Sequence, residues 1–186
     1  MLIDARGGSD AAMNALFEAC GPRLLSLIRL RMGSSMRSQT ESGDLLNATL
    51  LRAFQAFDDS KASDHPSLMA WLSRIAENVI RDQVDYQQAQ RRDRRKEAPL
   101  SGELHALQSR LRSQTGQLLA DERRQELEAA IEALPDEQRE VVILRQLEEL
   151  PYSEIGSRLG KSADSCRMML ARAMATLTLS MRREPT

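Results

Sequence analysis

Residues 150–172 read LPYSEIGSRLGKSADSCRMMLAR, and their pattern predicts two short helices in the C-terminal part of the chain. Tyr152, Ile155 and Leu159 recur at i, i+3 and i+7, which is the spacing of one face of a short amphipathic helix. Gly160 follows the last of these residues, where a helix often ends with a positive φ. The first helix is therefore predicted to end at this glycine.

A second helix is predicted directly after the glycine. Ser162 is a suitable N-cap, because its side-chain oxygen can accept a hydrogen bond from a free backbone N–H of the first turn. The apolar side of this helix consists of Ala163, Cys166, Leu170, Ala173 and Leu177. Gly156 falls where the two helices must touch, and a larger side chain there would push them apart.

Two helices joined by a turn that contains glycine form a helix-turn-helix, whose second helix enters the major groove of DNA. The alternative is an ordinary helical hairpin inside a bundle. The small residue, the turn glycine and the apolar positions all fall at the offsets that a helix-turn-helix needs, which favours DNA binding over the plain hairpin.

The composition of the 186 residues is typical of a helical globular protein, with 41% hydrophobic and only 3% aromatic residues. The net charge of −1 hides a segregated pattern, since basic runs at residues 91–96 and 158–183 flank an acidic stretch at 121–149. Basic patches in a nearly neutral chain indicate local contacts with phosphate. No apolar run is long enough to span a bilayer and no signal peptide is visible, so we expect a cytoplasmic protein without membrane insertion.

Few residues suit metal binding or catalysis. Cys20 and Cys166 lie far apart on apolar helix faces, so we interpret them as small core residues in a reducing compartment. The two histidines, His65 and His105, fall in a predicted loop and a predicted linker. Because no metal-ligand spacing, glycine-rich phosphate loop or nucleophile motif is recognisable, we expect no cofactor, no metal and no enzymatic activity.

The first half of the chain reads as a small helical domain. Ser9 is predicted to cap a helix that follows a loose end and breaks at Gly21-Pro22, and a loop is predicted over residues 33–43. Asp44 is predicted to cap the next helix. The core stripe of that helix is Leu46, Leu50, Phe54 and Phe57. A long helix is then predicted from about Ser67 to about Arg95, with the apolar face Leu68, Trp71, Leu72, Ile75 and Val79.

The helical periodicity is lost after residue 96 and returns near residue 121. The chain is therefore predicted to be all-α, with a domain over 1–96, a flexible linker over 97–120 and a second domain over 121–186. In the second domain one helix precedes Pro135, and another runs from Asp136 to Leu150. The inward side chains of these two helices are Leu127, Ile131, Leu134, Val141, Leu144 and Leu147.

Two separate blocks of sequence carry a family resemblance. Residues 44–54, DLLNATLLRAF, with residues 70–78, AWLSRIAEN, form the first block, and residues 134–173, which start LPDEQREV, form the second. Together they resemble the second and fourth conserved regions of a bacterial RNA polymerase sigma factor of the sigma-70 family, extracytoplasmic-function type. The resemblance implies the core polymerase and promoter DNA as partners. It also implies an anti-sigma protein, which in many members is wedged between the two domains.

In the family, the helix that begins at Asp44 docks on a coiled coil of the largest polymerase subunit. The residues that the resemblance implies for this surface are Asp44, Leu45, Asn47, Leu51, Arg52 and Gln55. Without the resemblance, these residues read as an ordinary solvated helix face.

The next helix in the family reads the minus-ten promoter element and holds a flipped base, whose extrusion costs a few kcal/mol of stacking. Asn78 matches the position beside that pocket, and an amide can donate to and accept from a base edge. A polar helix residue is otherwise often just exposed. The side chains implied in phosphate contacts are those of Arg74, Arg81, Arg91, Arg92, Arg94 and Arg95, the last two being equally typical of a soluble helix end.

In the second domain, the family pattern turns the start of the recognition helix toward the minus-thirty-five element. The residues implied on that side are Asp164, Ser165, Arg167, Met168 and Arg172. Arg167 can pair bidentately with guanine. Ser153, Tyr152 and Arg145 are better placed for the DNA backbone.

The residues and the resemblance together favour a non-enzymatic sigma factor that selects promoters. The alternative of a different kind is a helix-turn-helix regulator whose first domain serves dimerisation or sensing. Stable binding to a palindromic duplex without polymerase would support that alternative. A pure helical interaction protein is a further reading.

Overall fold

The computed structural model describes residues 2–37, 40–92 and 122–182, and the regular elements in these ranges are helical. The chain divides into two compact units, residues 1–120 and 121–186. The predicted all-α class with two helical bodies is confirmed. The predicted linker, residues 97–120, lies outside the described residues, as do Arg94 and Arg95, so the bounds of the linker stay a prediction.

Three helices form the core of the first unit. In chain order its helices are α1 (Leu2–Arg6), α2 (Asp10–Arg31), α3 (Ser34–Arg37), α4 (Ser42–Gln55) and α5 (His65–Arg92). Helix α4 packs against both α2 and α5, and α2 also packs against α5. Fully buried side chains of this unit include Phe17, Leu24, Leu25, Ile28, Leu46, Phe57, Leu68 and Leu72.

Helix α2 continues through Gly21 and Pro22, so the predicted break there is wrong. A proline inside a helix removes one hydrogen bond and typically costs about 3 kcal/mol. Burying one large apolar side chain stabilises the fold by roughly 1.5–3 kcal/mol. The buried face of α2 carries such residues on both sides of the proline, namely Leu16, Phe17, Leu24, Leu25, Leu27 and Ile28. Their packing outweighs the missing bond.

The N-terminal segment is a helix instead of the predicted loose end. Ala5 is buried, and the guanidinium of Arg6 donates to the carbonyl oxygens of Ser60 at 2.7 Å and Ala62 at 2.5 Å. These bonds tie α1 to the loop between α4 and α5. Ser9 caps α2 as predicted, because its hydroxyl accepts from the backbone N–H of Ala12.

Helix α4 differs from its prediction in its start and in its buried arc. It begins at Ser42 with Glu41 as N-cap, so Asp44 lies in the first turn and does not cap the helix. Phe54, predicted in the core stripe, is 40% exposed. Because α4 is covered by α2 on one side and α5 on another, its buried arc is wider than one amphipathic stripe. The buried residues of α4 are Gly43, Leu45, Leu46, Asn47, Thr49, Leu50, Leu51 and Ala53.

Helix α5 begins two residues before its predicted start. Asp64 and Ser67 bond reciprocally at this end, since each side chain accepts from the backbone N–H of the other residue, at 2.9 and 3.1 Å. Hydrogen bonds from Ser67 hold the pKa of the Asp64 carboxyl below its usual value. Trp71 is half-buried and meets Phe57 edge to face at 6.2 Å between ring centroids, which fits the predicted packing role.

We expect Cys20 to react with thiol reagents roughly 100-fold or more slowly in the folded chain than in urea, because the thiol must wait for an opening of the fold. Its side chain is 1% exposed, and burial raises the pKa of the thiol, which lowers the reactive thiolate fraction. A colorimetric disulfide-exchange time course in a Cys166→Ala background measures this rate. Labelling of the folded chain at the rate seen in urea would contradict the packing of α2.

The second unit is built around its last helix. Its elements are α6 (Glu122–Glu132), α7 (Asp136–Val142), a π-helical turn (Ile143–Leu147), α8 (Tyr152–Leu159) and α9 (Ala163–Met181). Helix α9 packs against α6, α7 and α8. Side chains that are at most 1% exposed form the core, namely Val141, Ile143, Leu144, Ile155, Cys166 and Ala173.

The segment before the helix-turn-helix is not the single helix predicted from Asp136 to Leu150. The backbone N–H of Glu148 donates to the carbonyl of Ile143, five residues earlier, at 3.1 Å, which closes a π-helical turn. Leu127, predicted to point inward from α6, is 41% exposed, whereas Ile131 is buried as predicted. The buried arc of α6 passes through Glu128 instead, so the helix is rotated from its predicted register.

Candidate nucleic-acid interface

The helix-turn-helix geometry of α8 and α9 matches its prediction. Gly160 ends α8 with φ 64° and ψ 34°, in the left-handed region. The backbone N–H of Lys161 donates to the carbonyl of Gly156 at 2.9 Å, and the Ser162 hydroxyl accepts from the N–H of Ser165 at 3.1 Å. One hydrogen bond therefore stabilises the turn, and the other caps the N-terminus of α9.

Gly156 lies at the closest approach of the two helices. A Cβ atom on this residue would come within 2.5 Å of the carbonyl oxygen of Lys161 and within 3.4 Å of the backbone nitrogen of Ala163. Both are backbone atoms, one in the turn and one at the first residue of α9, so no flexible side chain can move aside. The predicted need for a small residue at this contact is confirmed.

Helix α9 has one buried and one exposed side. Cys166, Leu170, Ala173 and Leu177 are buried as predicted, and Ala163 is half-buried. The residues predicted to face DNA are all exposed, namely Asp164, Ser165, Arg167, Met168 and Arg172. Ser153, on α8, is exposed as well. The exposure leaves these side chains accessible, and their contact with DNA stays a prediction.

The side chain of Arg167 on α9 is held by two neighbouring groups. Its guanidinium forms an ion pair with Asp164, one turn earlier, and lies over the ring of Tyr152 at 5.2 Å from the centroid. The guanidinium of Arg145 lies over the same ring at 4.9 Å and donates to the carbonyl of Leu150 at 2.9 Å. This cluster joins the π-helical turn, α8 and α9, and no spacing along the chain indicates it.

Several basic residues of the C-terminal run are already paired with carboxylates. Arg158 donates to Glu148, which is buried, at 3.1 Å and to Glu154 at 3.0 Å. Lys161 pairs with Glu137 at 2.9 Å. The positive surface of the second unit is therefore smaller than the count of basic residues at 158–183 indicates.

In the first unit, α5 presents a polar face. Arg74, Asn78 and Arg81 are exposed and recur at i, i+4 and i+7, so they share one side of the helix. The backbones of Arg91 and Arg92 continue α5, and their side chains lie outside the described residues. The exposed Asp82 lies next to this face and pairs with Arg52 of α4 at 2.7 Å.

The polymerase-binding surface predicted on α4 needs a correction. Leu45, Asn47 and Leu51 are only 3%, 5% and 9% exposed, so they lie in the packing of α4 and not on its surface. The reason is the same two-sided cover by α2 and α5. The predicted members that remain exposed are Asp44, Arg52 and Gln55.

Among the helices in the described ranges, 2–37, 40–92 and 122–182, none has the length and hydropathy that a membrane-spanning segment requires. Within the same ranges, no group of three or more His, Cys, Asp or Glu side chains could hold a metal ion.

Two family models match the chain. The model described as Sigma-70 region 2 matches residues 16–92, which covers most of α2 and all of α3 to α5. The model described as Sigma-70, region 4 matches residues 124–177, which includes the helix-turn-helix. The two matches occur in the order that the sequence resemblance predicts.

Three curated relatives are similar over most of the chain. It is 32% identical over 135 residues to the ECF RNA polymerase sigma factor EcfG of Rhodopseudomonas palustris, covering 73% of the chain and 68% of the relative. It is 28% identical over 171 residues to the ECF RNA polymerase sigma factor SigE of Mycolicibacterium smegmatis, covering 91% of the chain and 63% of the relative. It is 29% identical over 181 residues to the probable RNA polymerase sigma factor RfaY of Xanthomonas campestris pv. campestris, covering 95% of the chain. The chain spans only 42% of the length of this last relative.

Proposed function

Since this chain belongs to the sigma-70 family of RNA polymerase sigma factors, in its extracytoplasmic-function type, we propose that it binds the bacterial core polymerase and directs it to specific promoters. The observation that carries the proposal is that a region 2 match and a region 4 match occur in one chain, each on its own compact helical unit. A regulator that shares only the helix-turn-helix would lack the first match.

The proposed division of labour follows the two units. The second unit would contact the minus-thirty-five element through the exposed start of α9, since the N-terminal residues of a recognition helix reach base edges in the major groove. The first unit would contact the minus-ten element through the face of α5 that carries Arg74, Asn78 and Arg81. Guanidinium groups supply phosphate affinity, and the amide of Asn78 can bond a base edge.

The proposed docking surface for the core polymerase is the exposed side of α4. Asp44, Arg52 and Gln55 remain accessible there, and Arg52 is oriented by Asp82 of α5. Phe54, exposed on the same helix, adds apolar area, and aromatic residues are enriched in protein interfaces. A mixed polar and aromatic helix side of this kind suits a dissociable protein contact.

A protein that works with the polymerase acts in the cytoplasm, and in this role the chain performs no chemical step itself. An anti-sigma protein that separates the two units would switch such a factor off. Co-purification of a small protein that blocks binding of the chain to core polymerase tests that partner.

Run-off transcription with bacterial core polymerase and genomic fragments tests the main proposal. We expect the chain to produce transcripts that start at defined positions downstream of a shared pair of promoter elements. A pull-down of core polymerase from a bacterial lysate is the matching binding test. No promoter-specific initiation under any condition, together with stable binding to a palindromic duplex without polymerase, would point to an ordinary regulator instead.

We expect the double variant Arg74→Gln/Arg81→Gln to weaken promoter binding by the holoenzyme alike at all sequences. Each phosphate contact that is lost should reduce the slope of log K against log salt concentration by about 0.7–0.9. Filter binding or fluorescence anisotropy over a salt series measures this slope. The matched control is Arg139→Gln in the second unit, whose guanidinium is held by Asp136 at 2.6 Å. An unchanged slope in the double variant would remove these arginines from the interface.

A further inference from the structure

The ring of Tyr152 is the meeting point of two arginine side chains in the second unit. The guanidinium carbons of Arg145 and Arg167 lie 4.9 and 5.2 Å from its centroid, within the range of a cation–π contact. Two like charges gather at one ring only when other groups offset their repulsion. Leu150 supplies a carbonyl to the first guanidinium, and Asp164 supplies a carboxylate to the second.

These contacts restrict Arg167 before any DNA is bound. A free arginine side chain carries about 2 kcal/mol of rotamer entropy, which a base contact must otherwise overcome. A ring beneath the guanidinium limits the positions that this group can take, and its N–H groups remain the donors for a base. Arg172, further along the exposed side of α9, does not lie over a ring within the part of the chain that the structure describes. The side chain of Arg167 is therefore more restricted than that of Arg172 before DNA is bound.

Arg145 in turn holds the ring. Its guanidinium is tied to the backbone just before α8 through the carbonyl of Leu150, so it is fixed relative to the helix that carries Tyr152. Tyr152 itself is half-buried in the first turn of α8. The chain of contacts thus runs from the fixed π-helical turn through the ring to the exposed Arg167.

We propose that Tyr152 is a positioning residue that orients the guanidinium of Arg167 to read one guanine of the minus-thirty-five element. Asp164 holds the guanidinium until the base edge replaces it, and Arg145 steadies the ring. This inference rests on the proposed function of the chain. It differs from the prediction that Tyr152 contacts the DNA backbone, because here the ring orients Arg167 and the hydroxyl is not needed.

Two substitutions separate these roles. Tyr152→Phe keeps the ring and removes the hydroxyl, whereas Tyr152→Leu keeps an apolar side chain and removes the ring. The other tyrosine of the chain, Tyr86 on α5, is exposed, and Tyr86→Leu is the control for loss of an aromatic side chain in the other unit.

The first measurement is the base preference of the full-length chain in the holoenzyme, read by sequencing transcripts from a promoter library randomised in the minus-thirty-five element. We expect Arg167→Ala to lose the preference at one base pair. Tyr152→Leu should lower the preference at the same base pair by about 2- to 30-fold, in line with a cation–π contact. Tyr152→Phe and Tyr86→Leu should retain it. The double variant Tyr152→Leu/Arg167→Ala should be no worse than Arg167→Ala alone.

The second measurement needs neither polymerase nor DNA. In the NMR spectrum of the full-length unaltered chain, ring current from Tyr152 should shift the side-chain signals of Arg167 away from their usual position. Tyr152→Phe should keep this shift and Tyr152→Leu should remove it. Because the unaltered chain alone can show the shift or lack it, this measurement decides the geometry even if Tyr152→Leu does not fold.

Four results would overturn the inference alone. An absent ring-current shift in the unaltered chain would contradict the geometry, and a base preference that survives Tyr152→Leu would contradict the positioning role. A Tyr152→Leu variant that lowers transcription equally at all sequences, or a Tyr152→Phe variant as impaired as Tyr152→Leu, would indicate a backbone contact instead. A fifth result, an unaltered chain with no promoter preference, would contradict the proposed function as well.

Discussion

Replacing Gly156 by alanine is expected to destabilise the second unit by about 1–3 kcal/mol, the usual range for overpacking a tight contact. The new Cβ would lie 2.5 Å from the carbonyl oxygen of Lys161, and the backbone of the α8–α9 turn would have to move. At an open helical position the same substitution would stabilise by roughly 0.5–1 kcal/mol. The sign of the effect therefore reports the helix contact.

Urea unfolding of the full-length chain measures this effect with two probes. The single tryptophan, Trp71, lies in the first unit, so its fluorescence follows that unit, whereas far-ultraviolet circular dichroism follows both. We expect the dichroism transition to shift and the fluorescence transition to stay. The matched control is Gly33→Ala, because a Cβ on Gly33 meets nothing within 4 Å. Equal urea midpoints for Gly156→Ala and the unaltered chain would contradict the described contact.

Replacing Arg167 by alanine is expected to reduce discrimination at one base pair of the minus-thirty-five element by about five- to 150-fold. The estimate is the 1–3 kcal/mol that a good bidentate contact between arginine and guanine provides. Arg167→Lys should not restore the preference, because a compact ammonium lacks the planar fork of donors and stacks poorly on an aromatic ring. Competition between promoter fragments that differ at single base pairs, with the holoenzyme, measures the discrimination.

Arg172→Ala is the matched comparison for Arg167→Ala on the same helix. Both side chains are exposed, but only for Arg167 do the described residues supply an aromatic contact and a carboxylate partner. We expect Arg172→Ala to weaken binding uniformly and to flatten its salt dependence, as a phosphate contact would. If Arg167→Ala behaves in the same uniform way, Arg167 does not read a base.

The helix-turn-helix was predictable residue by residue because its determinants are local. Gly160 ends a helix by its own backbone freedom, and Ser162 caps the next helix through a bond within one turn. Gly156 follows from the spacing of two adjacent helices. Each of these signals lies within a dozen residues of the element it determines, so the sequence pattern suffices.

The first unit was less predictable because its determinants are tertiary. Helix α2 tolerates Pro22 only because residues of α4 and α5 cover its apolar face. Leu45 and Asn47 looked like surface residues on a single helical wheel, but α4 is covered from two directions. The contact of Arg145 and Arg167 with Tyr152 was missed for a similar reason, since three separate elements supply it.

The π-helical turn at Ile143–Leu147 accommodates one residue more than an ordinary helical turn would. Deleting one residue there would turn the bond between the N–H of Glu148 and the carbonyl of Ile143 into an ordinary α-helical bond, and the side chains between them, that of Arg145 included, would change direction. The guanidinium of Arg145 would then no longer reach the carbonyl of Leu150 or the ring of Tyr152. The length of this segment can therefore be compared among relatives. A relative that is one residue shorter between 142 and 151 should lack the paired arginines at this ring, and it should recognise its promoter through other contacts.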